Sequence, residues 1–239
     1  EEEYQQLLNI SDKKKKLAKQ WKEIAIQSFD FVNQFILDRY NEDLEWVKEF
    51  DKFQIYNKGE DNLDLNSIKL ENRGREAHTY LHHIITNYHI LDDLMIFSQG
   101  KHEDHFPNFK DLIYNRIGFS IETAKPNSSN GVSVSNRGDF SFKDCTCDAG
   151  EKYSLKEWWE WTTGEEYLQS DYVFFNSCFS VRKEFILKRS LESYMQIYLT
   201  LCNTSNPIEG HFCERSWFNI FNLPLNYMSY ITQHKDFKL

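Results

Sequence analysis

Apolar residues recur along this chain with two different periods, and the switches between them mark out its elements. Ala77, Tyr80, Leu81, Ile84, Ile85 and Tyr88 fall at i, i+3, i+4, i+7, i+8 and i+11, which is one stripe of a helix. Short β-prone runs surround it: Phe31–Leu37, Phe53–Tyr56, Ser67–Leu70 and Leu94–Phe97. Between the first two runs, Asn41 is expected to cap a helix over Glu42–Phe50, with Glu42 and Asp43 in its first turn. Strands alternating with helices predict an α/β domain whose mostly parallel sheet is covered by helices on both faces.

The remaining segments read less sharply. Residues 1–27 are polar, with Leu7, Leu8, Leu17, Trp21, Ile24 and Ala25 as inward positions of a helix or helix pair. This gives an N-terminal helical extension, followed by the α/β domain over 28–239. From about 106 to 170 the periodicity weakens. Pro126–Gly138 is rich in Asn, Ser and Gly and reads as a loop, either a lid or a plain surface excursion. Trp158, Trp159 and Trp161 share a short helical segment, as packing anchors in preference to a sugar-stacking platform. Tyr172–Phe175 reads as a late strand and Lys183–Leu201 as one amphipathic helix. Pro207 and Gly210 are expected to break the chain before a last helix over Cys213–Phe221.

Composition narrows the functions available. A formal net charge of −9 over 239 residues argues against nonspecific nucleic-acid binding, which needs clustered Lys and Arg. The one basic block, Lys13–Lys16, reads as a solvated helix face ahead of a membrane-surface or partner contact. No apolar run approaches the ~20 residues that span a bilayer, and no signal peptide is visible. The chain opens on Glu1, as a processed or excised piece would, which leaves a removed targeting segment open. Five scattered cysteines do not suggest a disulfide framework. Cys145 and Cys147 lack a second pair for a metal site, and the set is expected to be thiols in a reducing, cytoplasmic setting.

Ligands of open α/β sheets bind outside the carboxyl ends of the strands. That rule selects four polar segments: Arg39–Glu42, Asn57–Gly59, Asn72–Glu76 and Gln99–His105. Asn72–Glu76 is the sharpest, because a helix N-terminus offers N–H groups and Gly74 lets an anion approach. Arg73 and Arg75 add forked donors suited to phosphate. His78 stands one turn inside the helix, within reach of such a phosphate. His78 and His82 also have the spacing of a helical zinc pair, with His102 or His105 as a third ligand, but the Glu of a protease-type HExxH is missing. Partly buried histidines bonded to neighbouring backbone are the simpler expectation.

The stretch RYNEDLEWVKEF…FQIYNKG…ENRGREAHTYLHHIITNY…DLMIFSQG, within residues 39–100, resembles the domain-of-unknown-function 3431 family. That family carries R-Y-x-E-D-x-x-W, Y-N-K-G, N-x-G-R-E-x-H-T-Y-L-x-H-I and a strand ending in F-x-Q. The segments NSCFSVRKEFI and CERSWFNIF, at 176–186 and 213–221, are similar to its closing portion. The resemblance implies a single-sheet, GT-A-like glycosyltransferase fold and transfer of a sugar from a nucleotide-sugar donor to a glycan or other hydroxyl acceptor, as in glycan biosynthesis. It implies that Arg39, Tyr40, Asn41 and Glu42 line the nucleotide end, with Asn57 on the loop beside them. It implies further that Arg73, Gly74, Arg75 and Lys58 take the diphosphate, with Arg182 in reserve. Gln99 and His105 would face the sugar or the sugar-proximal phosphate. Glu214, read as the start of the last helix, is the expected base that deprotonates the acceptor; Arg75 and His78 complete the catalytic set. Lys101 stands where relatives often carry an acidic residue, and Glu103 and Asp104 are adjacent instead of forming Asp-x-Asp, so no metal ligand is assigned. Inverting and retaining outcomes both stay open. Two other classes compete: a metal-dependent hydrolase built on His78, His82 and His105, and a noncatalytic nucleotide- or sugar-binding module.

Overall fold

In a computed structural model the described residues are 33–61, 64–102, 124–126, 153–168, 172–174 and 178–223, all in one compact unit that begins at Asn33. The expected helical extension over 1–27, most of the loop Pro126–Gly138, Cys145, Cys147 and His105 lie outside the described residues. The sheet has the order β3-β2-β1-β4-β7, with β1 Asn33–Arg39, β2 Phe53–Asn57, β3 Ser67–Lys69, β4 Leu94–Gln99 and β7 Phe179–Arg182. The first four are parallel, with Phe35 opposite Phe53 on one side of β1 and Phe35 opposite Ile96 on the other. β7 pairs antiparallel to β4, placing Phe97 beside Phe179. This is an α/β fold with a mostly parallel five-stranded sheet flanked by helices.

The period-two alternation of β1 decides which side chain meets which layer. Ile36 joins a core with Tyr56, Met95 and Phe97, packed by helices α1 Arg75–Asn87, α2 Leu155–Thr163, α4 Leu191–Thr200 and α5 Ile208–Ile220. Leu37 points the other way, into a smaller cluster with Leu44, Val47 and Ile55. The two faces are therefore covered unequally: α-helices on one, a short 3-10 helix Glu45–Glu49 on the other, among the described residues. Trp217 of α5 is fully buried against Phe179 and stacks on Phe221, at centroid distances of 5.3 and 5.5 Å. Truncating such a residue to Ala costs roughly 3–5 kcal/mol.

Three expectations need correction. Asn41 caps no helix: the 3-10 helix starts after Leu44, and the Asn41 side chain instead accepts the Glu60 N–H at 3.0 Å. Lys183–Leu201 is two helices, α3 Lys183–Ile186 and α4, because Ser190 caps α4 by accepting the Ser193 N–H at 3.2 Å. The break turns Arg189 inward, where its guanidinium holds Glu165, Ser193 and the carbonyls of Asn219 and Ile220. The expected late strand is present as β6 Tyr172–Phe174, which pairs with β5 Ala124–Pro126 in a separate two-stranded sheet. Finally, α5 begins at Ile208 behind Pro207, so Gly210 lies in its first turn and breaks nothing. The tryptophan reading fares better: Trp158 and Trp159 are buried, whereas Trp161 is 68% exposed. No helix among the described residues is long and apolar enough to cross a membrane.

Candidate functional site

The loops after β1 and β2 clasp each other. Arg39, only 3% exposed, donates to the Glu42 carbonyl at 2.9 Å, to Asn57 Oδ1 at 2.8 Å and to the Glu60 carbonyl at 3.1 Å. Asn57 spends its amide on the Glu60 carbonyl and Asp61, and its carbonyl oxygen also accepts the Gly59 N–H. Glu42 Oε2 accepts the N–H groups of Tyr40 and Asn41 at 2.7 and 3.1 Å. A Cβ on Gly59 would overlap the Tyr40 carbonyl oxygen, so glycine alone permits this approach. Of the residues expected at the nucleotide end, Arg39, Asn41, Glu42 and Asn57 are thus engaged inside the clasp. Tyr40 is 52% exposed and faces outward.

The mouth of α1 departs from the anion-site expectation. The Gly74 N–H donates to the Thr204 carbonyl at 2.9 Å and the Arg75 N–H to the Ser205 carbonyl at 3.2 Å. A Cβ on Gly74 would meet Leu201 at 2.7 Å. The two backbone donors that an anion was to use are therefore spent on the turn between α4 and α5. Lys58 is buried as well: its ammonium reaches the carbonyls of Arg73, at 2.9 Å, and of Arg75, and lies 3.3 Å from Asp38. Asp38 also accepts the Thr79 hydroxyl at 2.5 Å. Burial raises the Asp38 carboxyl pKa, while Lys58 and Thr79 pull it back down. Arg73 lies at the surface, paired with Glu71 at 2.6 Å and with the Cys202 carbonyl.

Arg75 is the residue that looks outward from this buried group. Gly74 and Arg75 both have left-handed backbones, φ +60° and +51°. Glycine adopts that region freely, whereas for arginine it costs about 1–3 kcal/mol. The Arg75 side chain crosses Gly210, where a Cβ would sit 3.2 Å from Cδ. Its guanidinium reaches Asn206 Oδ1 and His211 Nε2, both at 3.3 Å, and stays 3.6 Å from the buried Glu76 carboxylate. Arginine only donates, so His211 Nε2 accepts and its proton sits on Nδ1. Burial first, then Arg75 and Arg215, push the His211 pKa down to about 4, which keeps the ring neutral near pH 7. One turn along α5, Glu214 pairs with Arg215 at 3.3 Å, and Arg215 donates to the His211 carbonyl. Glu214 is thus mid-helix, where it does not serve the helix dipole.

The histidines of α1 form a separate row. His78, 4% exposed, stacks near His82 and Tyr198, and its Nδ1 has no hydrogen-bond partner among the described residues. Burial, then Lys58, His82 and Arg73, lower its pKa to about 3. His83 is buried against the Tyr56 hydroxyl at 2.9 Å, with its pKa down to about 4, first through burial. His102 lies under Trp46, ring centroids 4.7 Å apart. No three His, Cys, Asp or Glu side chains converge as a metal set among the described residues. Gln99 closes β4 beside Asp38, half-buried; Arg182, at the end of β7, is exposed and distant from the Arg75 group in the strand order.

The structure joins Arg75 to His211, one turn before the Glu214–Arg215 pair on α5, whereas His78 packs beside His82 and Tyr198. Asp38, Glu76, Thr79, Asn206, His211 and Arg215 received no role from the sequence. The signal for Glu76 and Thr79 was their place in Arg75–Thr79, on the inward side of a helix start. Asn206 and His211 lie about 130 positions from Arg75, and nothing local announces that contact.

Residues 36–116, roughly a third of the chain, match the family described as "Protein of unknown function (DUF3431)". The match takes in the clasp, α1 and β4; the segments 176–186 and 213–221 lie outside it. No curated protein and no solved structure matches the chain.

Proposed function

We propose that this chain is a glycosyltransferase of GT-A type, transferring a sugar from a nucleotide-sugar to a glycan or other hydroxyl acceptor in the cytoplasm. One observation carries the reading: Arg75, in a left-handed conformation at the carboxyl edge of the parallel strands, meets His211 of α5, one turn before the Glu214–Arg215 pair. The strand order supports it. Successive strands run outward from β1 to β3, and the chain then returns to the other side of β1 for β4. Open α/β sheets bind ligands at the carboxyl ends beside such a reversal. Tyr40 follows the end of β1 and Gln99 ends β4 there, with the exposed Tyr40 ring available to the nucleotide base.

Transfer breaks the bond between the sugar's anomeric carbon and the diphosphate oxygen, which leaves with the electron pair. Arg75, with Asn206 and the neutral His211, receives that charge. The acceptor oxygen bonds to the anomeric carbon as Glu214 takes its hydroxyl proton. The diphosphate is assigned to side chains of the α1–α5 junction in place of the helix mouth, whose donors are internal. Lys58, Arg73 and Gly74 support the turn that carries Arg75 and do not touch the donor.

Thermal-shift and calorimetric titration of the intact chain with nucleoside diphosphates and their sugars test this. The native chain should be stabilised by at least one of them and should slowly hydrolyse the matching donor. Arg75→Ala should weaken binding tenfold or more while remaining folded, and Glu214→Gln should bind the donor but lose turnover. Binding without turnover in the native chain points to a noncatalytic module; stoichiometric zinc with ester or amide hydrolysis points to a metal-dependent hydrolase. Absence of any binding at millimolar ligand removes the transferase reading.

A further inference from the structure

Two consecutive left-handed residues, one of them an arginine, need a holder, and the geometry around them supplies one. The Lys58 ammonium donates to the carbonyls on both sides of Gly74, those of Arg73 and Arg75. It comes from the loop after β2, whose backbone is anchored by the Lys58 N–H donating to the Arg39 carbonyl at 2.7 Å. Beneath it Asp38, at the end of β1, lies 3.3 Å away and is itself held by Thr79 of α1. The lysine side chain is 3% exposed, so its charge has exchanged water for these three oxygens. Turning either peptide to an ordinary right-handed conformation would swing a carbonyl off the ammonium and leave a buried charge short of a partner.

We propose that Lys58 is a positioning residue, which clamps the Arg73–Arg75 turn on the Asp38 carboxylate and thereby aims the Arg75 side chain across Gly210 at Asn206 and His211. Arg75 is held in place from the sheet, through β1 and β2, and its guanidinium is presented before any ligand arrives. The clamp is a property of the fold; its consequence for a diphosphate rests on the transferase reading above.

A double-mutant cycle in urea reads the clamp without any ligand. Lys58→Met should raise the unfolding equilibrium constant about tenfold or more in the native background. Beside Arg75→Gly, whose backbone takes the left-handed region unaided, the same change should raise it by a factor at least about threefold smaller, the cost of leaving Asp38 unpaired being common to both backgrounds. Equal factors in the two backgrounds overturn the proposal. If Lys58→Met alone yields no folded protein, a folded Lys58→Met, Arg75→Gly double variant supports the clamp and an unfolded one overturns it. The second readout is nucleoside diphosphate affinity of the folded variants. Lys58→Met should lose about tenfold, while Lys58→Arg, which keeps the donors, stays within about threefold of native; equal loss in both, or in neither, overturns positioning. A native chain that binds no nucleoside diphosphate sinks the transferase reading alone, because the unfolding cycle still decides the clamp.

Discussion

The clasp between the β1 and β2 loops and the junction of α1 with α5 are both rich in charged and polar residues near the carboxyl edge of the sheet, yet they differ in kind. In the clasp, the Arg39 and Asn57 side chains meet backbone carbonyls, the Asn57 carboxamide oxygen and the Asp61 carboxylate at 2.8–3.1 Å, and Arg39 is buried. At the junction the contacts are longer, Arg75 reaching Asn206 and His211 at 3.3 Å, its side chain is a third exposed, and its backbone is left-handed. A satisfied, buried network fixes loops; a strained and partly open one holds a charge where a ligand can take it up. Two polar groups near one edge of the sheet therefore differ in how fully their partners are supplied by the fold.

Breaking the clasp is the largest expected effect. Arg39→Met leaves the carbonyls of Glu42 and Glu60 and the Asn57 amide oxygen short of donors, and should cost about 3–5 kcal/mol of unfolding free energy in urea. Affinity for a nucleoside diphosphate, measured on the folded fraction, should change little. A loss of affinity without a loss of stability would reverse the roles of the two regions.

Acid sharpens the contrast at intermediate size. The clasp contains no histidine, whereas His78 and His83 line α1 with pKa values lowered to about 3 and about 4. Below the unfolded-state value near 6.5 the unfolded chain binds protons that the folded chain refuses. Stability should therefore be full above about pH 7 and fall as pH drops toward 4, by about 1–2 kcal/mol for each ring at pH 5. Asp38, raised by burial, acts in the opposite sense, and only within and just above the carboxylate range. Urea midpoints from pH 7.5 to 4.5 check the sign, and His83→Asn should flatten the slope by about one proton. The smallest effect is expected at Asn41→Ala, which removes one exposed clasp bond to the Glu60 N–H and should cost about 0.5–1.5 kcal/mol without altering ligand affinity.

Sequence order alone determined the elements whose periodicity is strong. The stripe Ala77–Tyr88 became α1, with Ala77, Tyr80, Leu81 and Ile84 buried, because a helix repeats every 3.6 residues whatever surrounds it. All four expected β-prone runs contain parallel strands, the first, expected over 31–37, being described over Asn33–Arg39. Tertiary structure alone decided what the polar residues do. The Gly74 and Arg75 N–H groups, open to an anion in isolation, are closed by carbonyls of Thr204 and Ser205 about 130 positions away. Glu214, read as a helix start, lies mid-helix because α5 begins behind Pro207 and admits Arg75 over Gly210. The reason is general: apolar periodicity is a local property of the chain, whereas a hydrogen-bonding group takes whichever partner the completed packing brings within about 3 Å.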